Sequence, residues 1–167
     1  MRFLVPSLLL ACTMQTASAA PAAQPADLFD FWLGDWTVTW QNADGTTGRA
    51  RNHVSRILDG NVIEERFEED AADPAPRLEG RSLSVRDTAG LWHQAWADNQ
   101  GGFFALTGSV DGDRRLFSTA LTVVGTEVRV KRMVFHHITA DAFTWDWEGS
   151  SDGGKTWKLL WRLDYRR

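Results

Sequence analysis

From residue 35 to residue 166, apolar side chains recur at every second position in short runs, and nearly every run is closed by a turn signal. Those signals are Asp44-Gly45, Asp59-Gly60, Ala89-Gly90, Gly101-Gly102, Asp111-Gly112, Gly125, Asp141 and Asp152-Gly153-Gly154. Alternation with a period of two is the mark of a strand with one face buried, and Gly or Asp between two such runs marks a tight reversal. The pattern predicts about ten strands, near 35–42, 48–58, 61–69, 79–87, 91–97, 102–110, 114–122, 127–138, 142–149 and 156–166. Short hairpins join antiparallel neighbours. A long succession of them describes an up-and-down meander, which removes its exposed edges by closing into a barrel.

At 167 residues the chain suits one core of ordinary size. Arg2, the apolar run from Phe3 to Ala11 and the small residues Ala17-Ser18-Ala19 read as a signal peptide over residues 1–19. Cleavage after Ala20 would leave Pro21 hindering the peptidase, so Ala19 is preferred. A cut there predicts a periplasmic or secreted protein. The run falls short of the roughly 20 residues that a membrane helix needs. Leu9-Leu10-Ala11-Cys12 resembles a lipobox, and the competing outcome is a lipid anchor on Cys12. With the cut after Ala19, the single cysteine leaves with the leader, and no disulfide or thiol nucleophile remains. Losing Arg2 would take the 18 basic side chains to 17 against 22 acidic ones, a net formal charge of −5. The Lys and Arg residues are scattered, which excludes a phosphate-neutralising stripe and hence nucleic acid as a partner. Residues 20–26, rich in Ala and Pro, read as a flexible tether, and residues 27–167 as the barrel domain. Asp27 is placed to cap a short N-terminal helix carrying Leu28, Phe29, Phe31 and Trp32, with Gly34 to end it. Asp70 to Arg77, with Pro74 and Pro76, is the longest connection and the expected mobile loop at one mouth.

Eight of the nine tryptophans fall in strands as four pairs: Trp36 and Trp40, Trp92 and Trp96, Trp145 and Trp147, Trp157 and Trp161. Every spacing is two or four, so each pair shares a face of its strand, and burying eight indoles points those faces inward. They fill a core, line a pocket, or do both. Polar groups on the same faces separate these uses. Gln94 lies between Trp92 and Trp96, with Asp98 next along; Glu65 lies between Ile63 and Phe67. On strand 79–87 the more apolar face carries Arg81, Leu83 and Val85, and on strand 127–138 it carries Val128, Val130, Arg132, Val134 and His136. Glu65 and Arg81 are then expected as an internal ion pair, because an unpaired buried charge costs several kcal/mol. That face assignment needs an even-length connection at residues 88–90. A three-residue turn would instead turn Ser82 and Ser84 inward.

The stretch Ser150-Ser151-Asp152-Gly153-Gly154-Lys155-Thr156-Trp157 resembles the Asp-box hairpin of sialidase-type propellers. A propeller repeats its motif in every blade, whereas this box occurs once, so it reads as a turn with Asp152 accepting from loop N–H groups. A wider resemblance rests on Phe29-Asp30-Phe31-Trp32-Leu33-Gly34-Asp35-Trp36, Glu65-Arg66-Phe67, Gly80-Arg81-Ser82, Trp92 to Asn99 and Trp147 to Trp157. These blocks, spread over nearly all of residues 27–167, resemble a bacterial lipocalin-like, calycin-type family known as a domain of unknown function; Phe67 stands where that pattern would have Trp. Gly34-Asp35-Trp36 is similar to the Gly-x-Trp that opens calycin barrels. The resemblance implies a barrel with a cavity, no established activity, and an Arg from the last strand, Arg162 or Arg166, closing the base over Trp36. The glycine-rich signature and histidine context of haem-binding barrels are not found, and no cofactor is expected.

His136 and His137 are adjacent strand residues, expected on opposite faces and therefore unable to grip one metal ion. His53 and His93 are singles. The expected fold is an all-β, about ten-stranded antiparallel lipocalin-like barrel. Its expected function is binding a small, partly apolar or aromatic molecule through Trp36, Trp40, Glu65, Arg81, Trp92, Gln94, Trp96, Asp98, Arg132, His136 and Trp147. The alternatives are a hydrolase or isomerase on the same barrel, with Glu65, Asp98 or His136 as acid or base, and a solid envelope barrel acting through its outside. No nucleophile elbow or comparable signature marks an enzyme.

Overall fold

The structure, a computed structural model, describes residues 22–70 and 77–167. Residues 1–19, expected as a signal peptide, with Cys12 among them, and most of the Asp70–Arg77 connection lie outside the described residues. Eleven strands follow one another: β1 (Gly34–Gln41), β2 (Thr47–Ile57), β3 (Val62–Glu69), β4 (Glu79–Arg86), β5 (Trp92–Asp98), β6 (Phe103–Asp111), β7 (Arg114–Thr119), β8 (Thr122–Val124), β9 (Glu127–His136), β10 (Ala142–Ser150) and β11 (Lys158–Arg166). All pairings between them are antiparallel, each strand from β1 to β6 bonds the next, and β7, β9, β10 and β11 close the ring back onto β1. The result is a closed ten-stranded antiparallel barrel with β8 added as a short ribbon on β9. Between the pairs Ser118↔Arg132 and Thr122↔Arg129, β7 and β8 advance four residues against three on β9, so one expected strand is split by a bulge. Among the described residues no helix is long and apolar enough to cross a membrane.

The expected short helix is corrected to a single 3₁₀ turn, Asp30–Trp32, with no side-chain cap. Its bonds run three residues back, from Asp30 N to Asp27 O and from Leu33 N to Asp30 O. Gly34, at φ 123, then turns the chain into β1, leaving no length for a second helical turn. This segment plugs the barrel base. Phe29 is fully buried, stacks on Phe117 at 4.3 Å and meets Trp92 edge-on at 5.4 Å. Burying one such ring contributes roughly 2–3 kcal/mol. From Gln24 onward the segment expected as a tether is tied to the barrel: Gln24 bonds Gly90 O through its backbone N and Gly108 O through Nε2, and Trp92 Nε1 donates to Pro25 O. Arg167 closes the base, its guanidinium 4.4 Å from the Trp36 ring and donating to Leu33 O. The closing Arg is thus neither Arg162 nor Arg166.

Most strands bury alternate residues as expected, among them Trp36, Val38 and Trp40 on β1 and Ile63, Glu65 and Phe67 on β3. Two faces are reversed. The β4–β5 turn covers five residues, Asp87 to Leu91, so Ser84 stands opposite Gln94 and Ser82 opposite Trp96. Gly80, Ser82 and Ser84 therefore face in, and Arg81, Leu83 and Val85 face out. On β9, Met133 and Phe135 pair with Trp147 and Trp145 and face in, leaving Arg132 and His136 outside. Val130 and Val134 give that face its apolar pattern, but they are buried on the outside of the barrel, among the ion pairs Arg132–Glu148 and His136–Asp146–Arg162. The last Trp pair is also split. A register shift after Trp147 sets Trp161 opposite Trp147 but Leu159 opposite Glu148. The extra residue flips the face, so Trp161 packs on the core while Trp157 lies outside on the Arg132 guanidinium, 3.7 Å from it.

The Asp box is a turn, as read. Asp152 accepts from Lys155 N at 3.0 Å, Thr156 N at 2.9 Å and Thr156 Oγ1 at 2.6 Å, and these bonds hold its carboxyl far below the usual range. Gly153 and Gly154 take positive φ, and Gly153 N also donates to Val128 O, docking the hairpin on β9.

Candidate functional site

Between the plug and the mouth, a cavity of about 130 Å³ remains open to water-sized molecules. An apolar cavity of similar size admits a benzene ring. Its walls come from six strands: Glu65 and Phe67 on β3, Trp96 and Asp98 on β5, Phe104 on β6, Met133 on β9, Trp145 and Trp147 on β10, and Trp161 and Leu163 on β11. Trp32 from the plug lies below and Leu78 beside the long connection completes the lining. Trp145 and Trp147 lie parallel, 6.2 Å apart, because residues two apart on a strand share a face. Trp161 meets Trp145 edge-on at 6.0 Å, and Phe104 meets Trp147 at 5.1 Å. Gly48 and Gly80 lie beneath the indoles of Trp40 and Trp96, where a Cβ would overlap each ring.

Glu65 is the polar centre of this wall. Its Oε1 accepts from Asn52 Nδ2 at 2.8 Å and its Oε2 from Ser82 Oγ at 2.7 Å; both donors are neutral. Burial pushes the carboxyl up to about 7, against the opposing pull of those two bonds. The same burial, with the Glu65 charge, drives the Tyr165 hydroxyl well above its ordinary value. Asp98 is the other wall carboxyl. Burial raises it, but bonds from Trp96 Nε1, Gly102 N and Gln100 N outweigh that and hold it below the usual carboxylate range. Trp32 is buried and its Nε1 has no partner among the described residues; nor do Asn52 Oδ1 and Gln94 Oε1.

Of the residues singled out in the sequence, Glu65, Trp96, Asp98 and Trp147 line the cavity. Trp36 and Trp92 face inward but are packed into the base, Trp36 Nε1 donating to Trp32 O and Trp92 touching Phe29. Trp40 meets Trp161 edge-on at 5.3 Å beside the wall. Gln94 is buried and donates to Ser84 Oγ, outside the cavity lining. Arg81, Arg132 and His136 are corrected to the outer surface. Arg81 stands opposite Arg66 and pairs with Glu68 at 3.1 Å, so no Glu65–Arg81 ion pair forms. The imidazoles of His136 and His137 are neighbours after all, 4.5 Å apart, because His137 leaves the strand in a left-handed conformation at φ 52 and breaks the alternation. Among the described residues no three His, Cys, Asp or Glu side chains gather to hold a metal ion.

Asn52, Trp32 and Leu78 were not among the expected site residues. Asn52 carried a signal: a lone amide between Ala50 and Val54 on an otherwise apolar face. Trp32 carried none, since its place at the cavity depends on how the plug docks.

No family model and no curated protein matches the chain. Among solved structures, a redesigned β-barrel is similar over 87% of this chain and 98% of that one, at 13% identity and a TM-score of 0.43.

Proposed function

We propose that the chain is a lipocalin-like barrel, exported to the periplasm or beyond the cell, that holds a small, partly apolar or aromatic molecule in its mouth. One observation carries the reading: an aromatic cavity of single-ring size with a fully buried carboxyl, Glu65, in its wall and no basic side chain among its lining residues. A core filled only for stability gains nothing from such a group, because burying a carboxyl without a counter-charge opposes folding. Asn52 and Ser82 orient Glu65, and Trp32 Nε1 is a donor with no partner. The ligand is therefore a ring or short chain with a polar end. The lipocalin-like likeness is supported by Gly34-Asp35-Trp36 at the start of β1 and by Arg167 over Trp36. Export is supported by the leader-like pattern of residues 1–19.

A second reading draws on Glu65 alone. A carboxyl poised near neutral pH in a pocket is suited to general acid or base work, so a hydrolase or isomerase on the same barrel uses Glu65. His136 is no longer a candidate for that role. The test is intrinsic tryptophan fluorescence titrated with a panel of single-ring aromatic compounds. A saturable change in the wild type, lost in Leu78→Trp with its bulk at the cavity edge, supports the pocket. Flat titrations across the panel retire it, and turnover of a bound compound that Glu65→Gln abolishes favours the enzyme.

A further inference from the structure

We propose that the ligand is an organic cation, a primary ammonium on an aryl or arylalkyl body, with the Glu65 carboxylate as its counter-ion and the indole walls around it. This rests on the pocket reading above and adds the chemical class of the occupant.

Glu65 has acceptor capacity to spare. Each of its oxygens accepts one hydrogen bond from a neutral donor, which leaves a lone pair on each for a further donor. A neutral ligand leaves the ionised form buried without compensation, and an anion adds a second like charge. An ammonium group supplies both the missing charge and N–H donors.

The charge that faces the cavity also favours a cation. The inward positions around Glu65 carry Glu69 at the rim of β3, Asp98 on β5, Lys131 on β9, Tyr165 on β11 and, toward the base, Arg56 on β2, Arg86 on β4 and Arg115 on β7. Arg56 pairs with Asp30 and Arg86 donates to Gln24 O, and neither they nor Arg115 and Lys131 pair with Glu65. At the mouth, three carboxyls face one ammonium.

The aromatic walls suit a cation as well. Aromatic faces attract cations, and Lys131 Nζ already sits 5.5 Å from the Phe104 ring centre and 5.8 Å from that of Trp147. Lys131 is exposed and free to swing aside, whereas Glu65 is fixed.

The experiment is calorimetric and fluorescence titration of the full-length protein with 2-phenylethylamine, 2-phenylethanol and 3-phenylpropionate at pH 6 and pH 8. The amine is charged at both values, so any change reports the protein. With Glu65 titrating at about 7, only the ionised fraction takes the cation, and 2-phenylethylamine binds about tenfold tighter at pH 8 than at pH 6, releasing a proton at the lower value. Glu65→Gln weakens the amine by at least about tenfold and flattens its pH dependence, while 2-phenylethanol binds the variant no worse. If 2-phenylethanol or 3-phenylpropionate binds and the amine does not, or its affinity is level or falls with rising pH, the cation is overturned and the pocket stands. If none of the three binds the wild type, both fall. The wild-type pH series decides the matter even if the variant does not fold.

Discussion

Glu65 weakens the fold that holds it. Its carboxyl is neutral in both the folded and unfolded states below about pH 4.5, the ordinary value. Between there and about 7 only the unfolded chain releases the proton, so stability falls as pH rises, and above 7 the loss is complete. A shift of this size corresponds to about 3 kcal/mol. Glu65→Gln keeps an acceptor for Asn52 and turns an amide N–H toward Ser82, so it removes the charge without removing the bonds. Urea denaturation is expected to find the variant more stable than the wild type by about 3 kcal/mol at pH 8 and nearly equal to it at pH 4. A variant that loses stability at both values would show that the carboxylate is compensated after all. Glu65 itself was legible in the sequence, because an acid between Ile63 and Phe67 stands out on an alternating strand. Its environment was not: the partner there is Ser82 rather than Arg81, and that followed from a turn length.

The plug and the strand faces belong to the scale of elements. Phe29, Phe31 and Trp32 are too few residues to be stable as a helix alone, and they hold their 3₁₀ turn because their rings insert into the base. Phe31 meets Phe135 and Phe143 edge-on at 5.6 Å each, continuing the stack begun by Phe29 on Phe117. Phe29→Ala removes a fully buried ring and is expected to cost about 3–5 kcal/mol in denaturant unfolding, while Asp30→Ala, which removes the ion pair with half-exposed Arg56, costs under about 1 kcal/mol. Strand positions were legible almost throughout, because alternation and turn residues act locally. Faces were legible where both sides of a strand differ in polarity, as on β1, β3 and β10. They failed on β4 and β9. Arg81, Leu83 and Val85 lose to Gly80, Ser82 and Ser84 because the large Trp96 ring needs small neighbours inside, and Val134 is buried outside beneath a cluster of ion pairs.

For the molecule as a whole, the barrel is weakest along the seam that closes it. β1 and β11 share three register pairs, Thr37↔Arg166 to Thr39↔Asp164, against eight between β2 and β3. Beyond Thr39 the strands part, and Trp40 and Trp161 fill the gap edge-on. Amide hydrogen exchange should therefore be less protected along β1–β11 than along β2–β3. Because Trp161 is a wall of the cavity, a bound ligand should raise protection at that seam above all others. Uniform protection around the ring would show that the seam is not where the barrel opens.

The alternating pattern and its turns were enough to determine a closed antiparallel barrel with an aromatic interior, because side-chain direction and chain reversal are set within a few residues. Four of the eleven candidate site residues reached the cavity. Which indoles line it, which pack the base and which lie outside depended on turn parity, on the bulge between Trp147 and Glu148 and on the docking of the plug. A single added residue reverses every side chain beyond it, and only contacts between distant strands decide where that residue is accommodated.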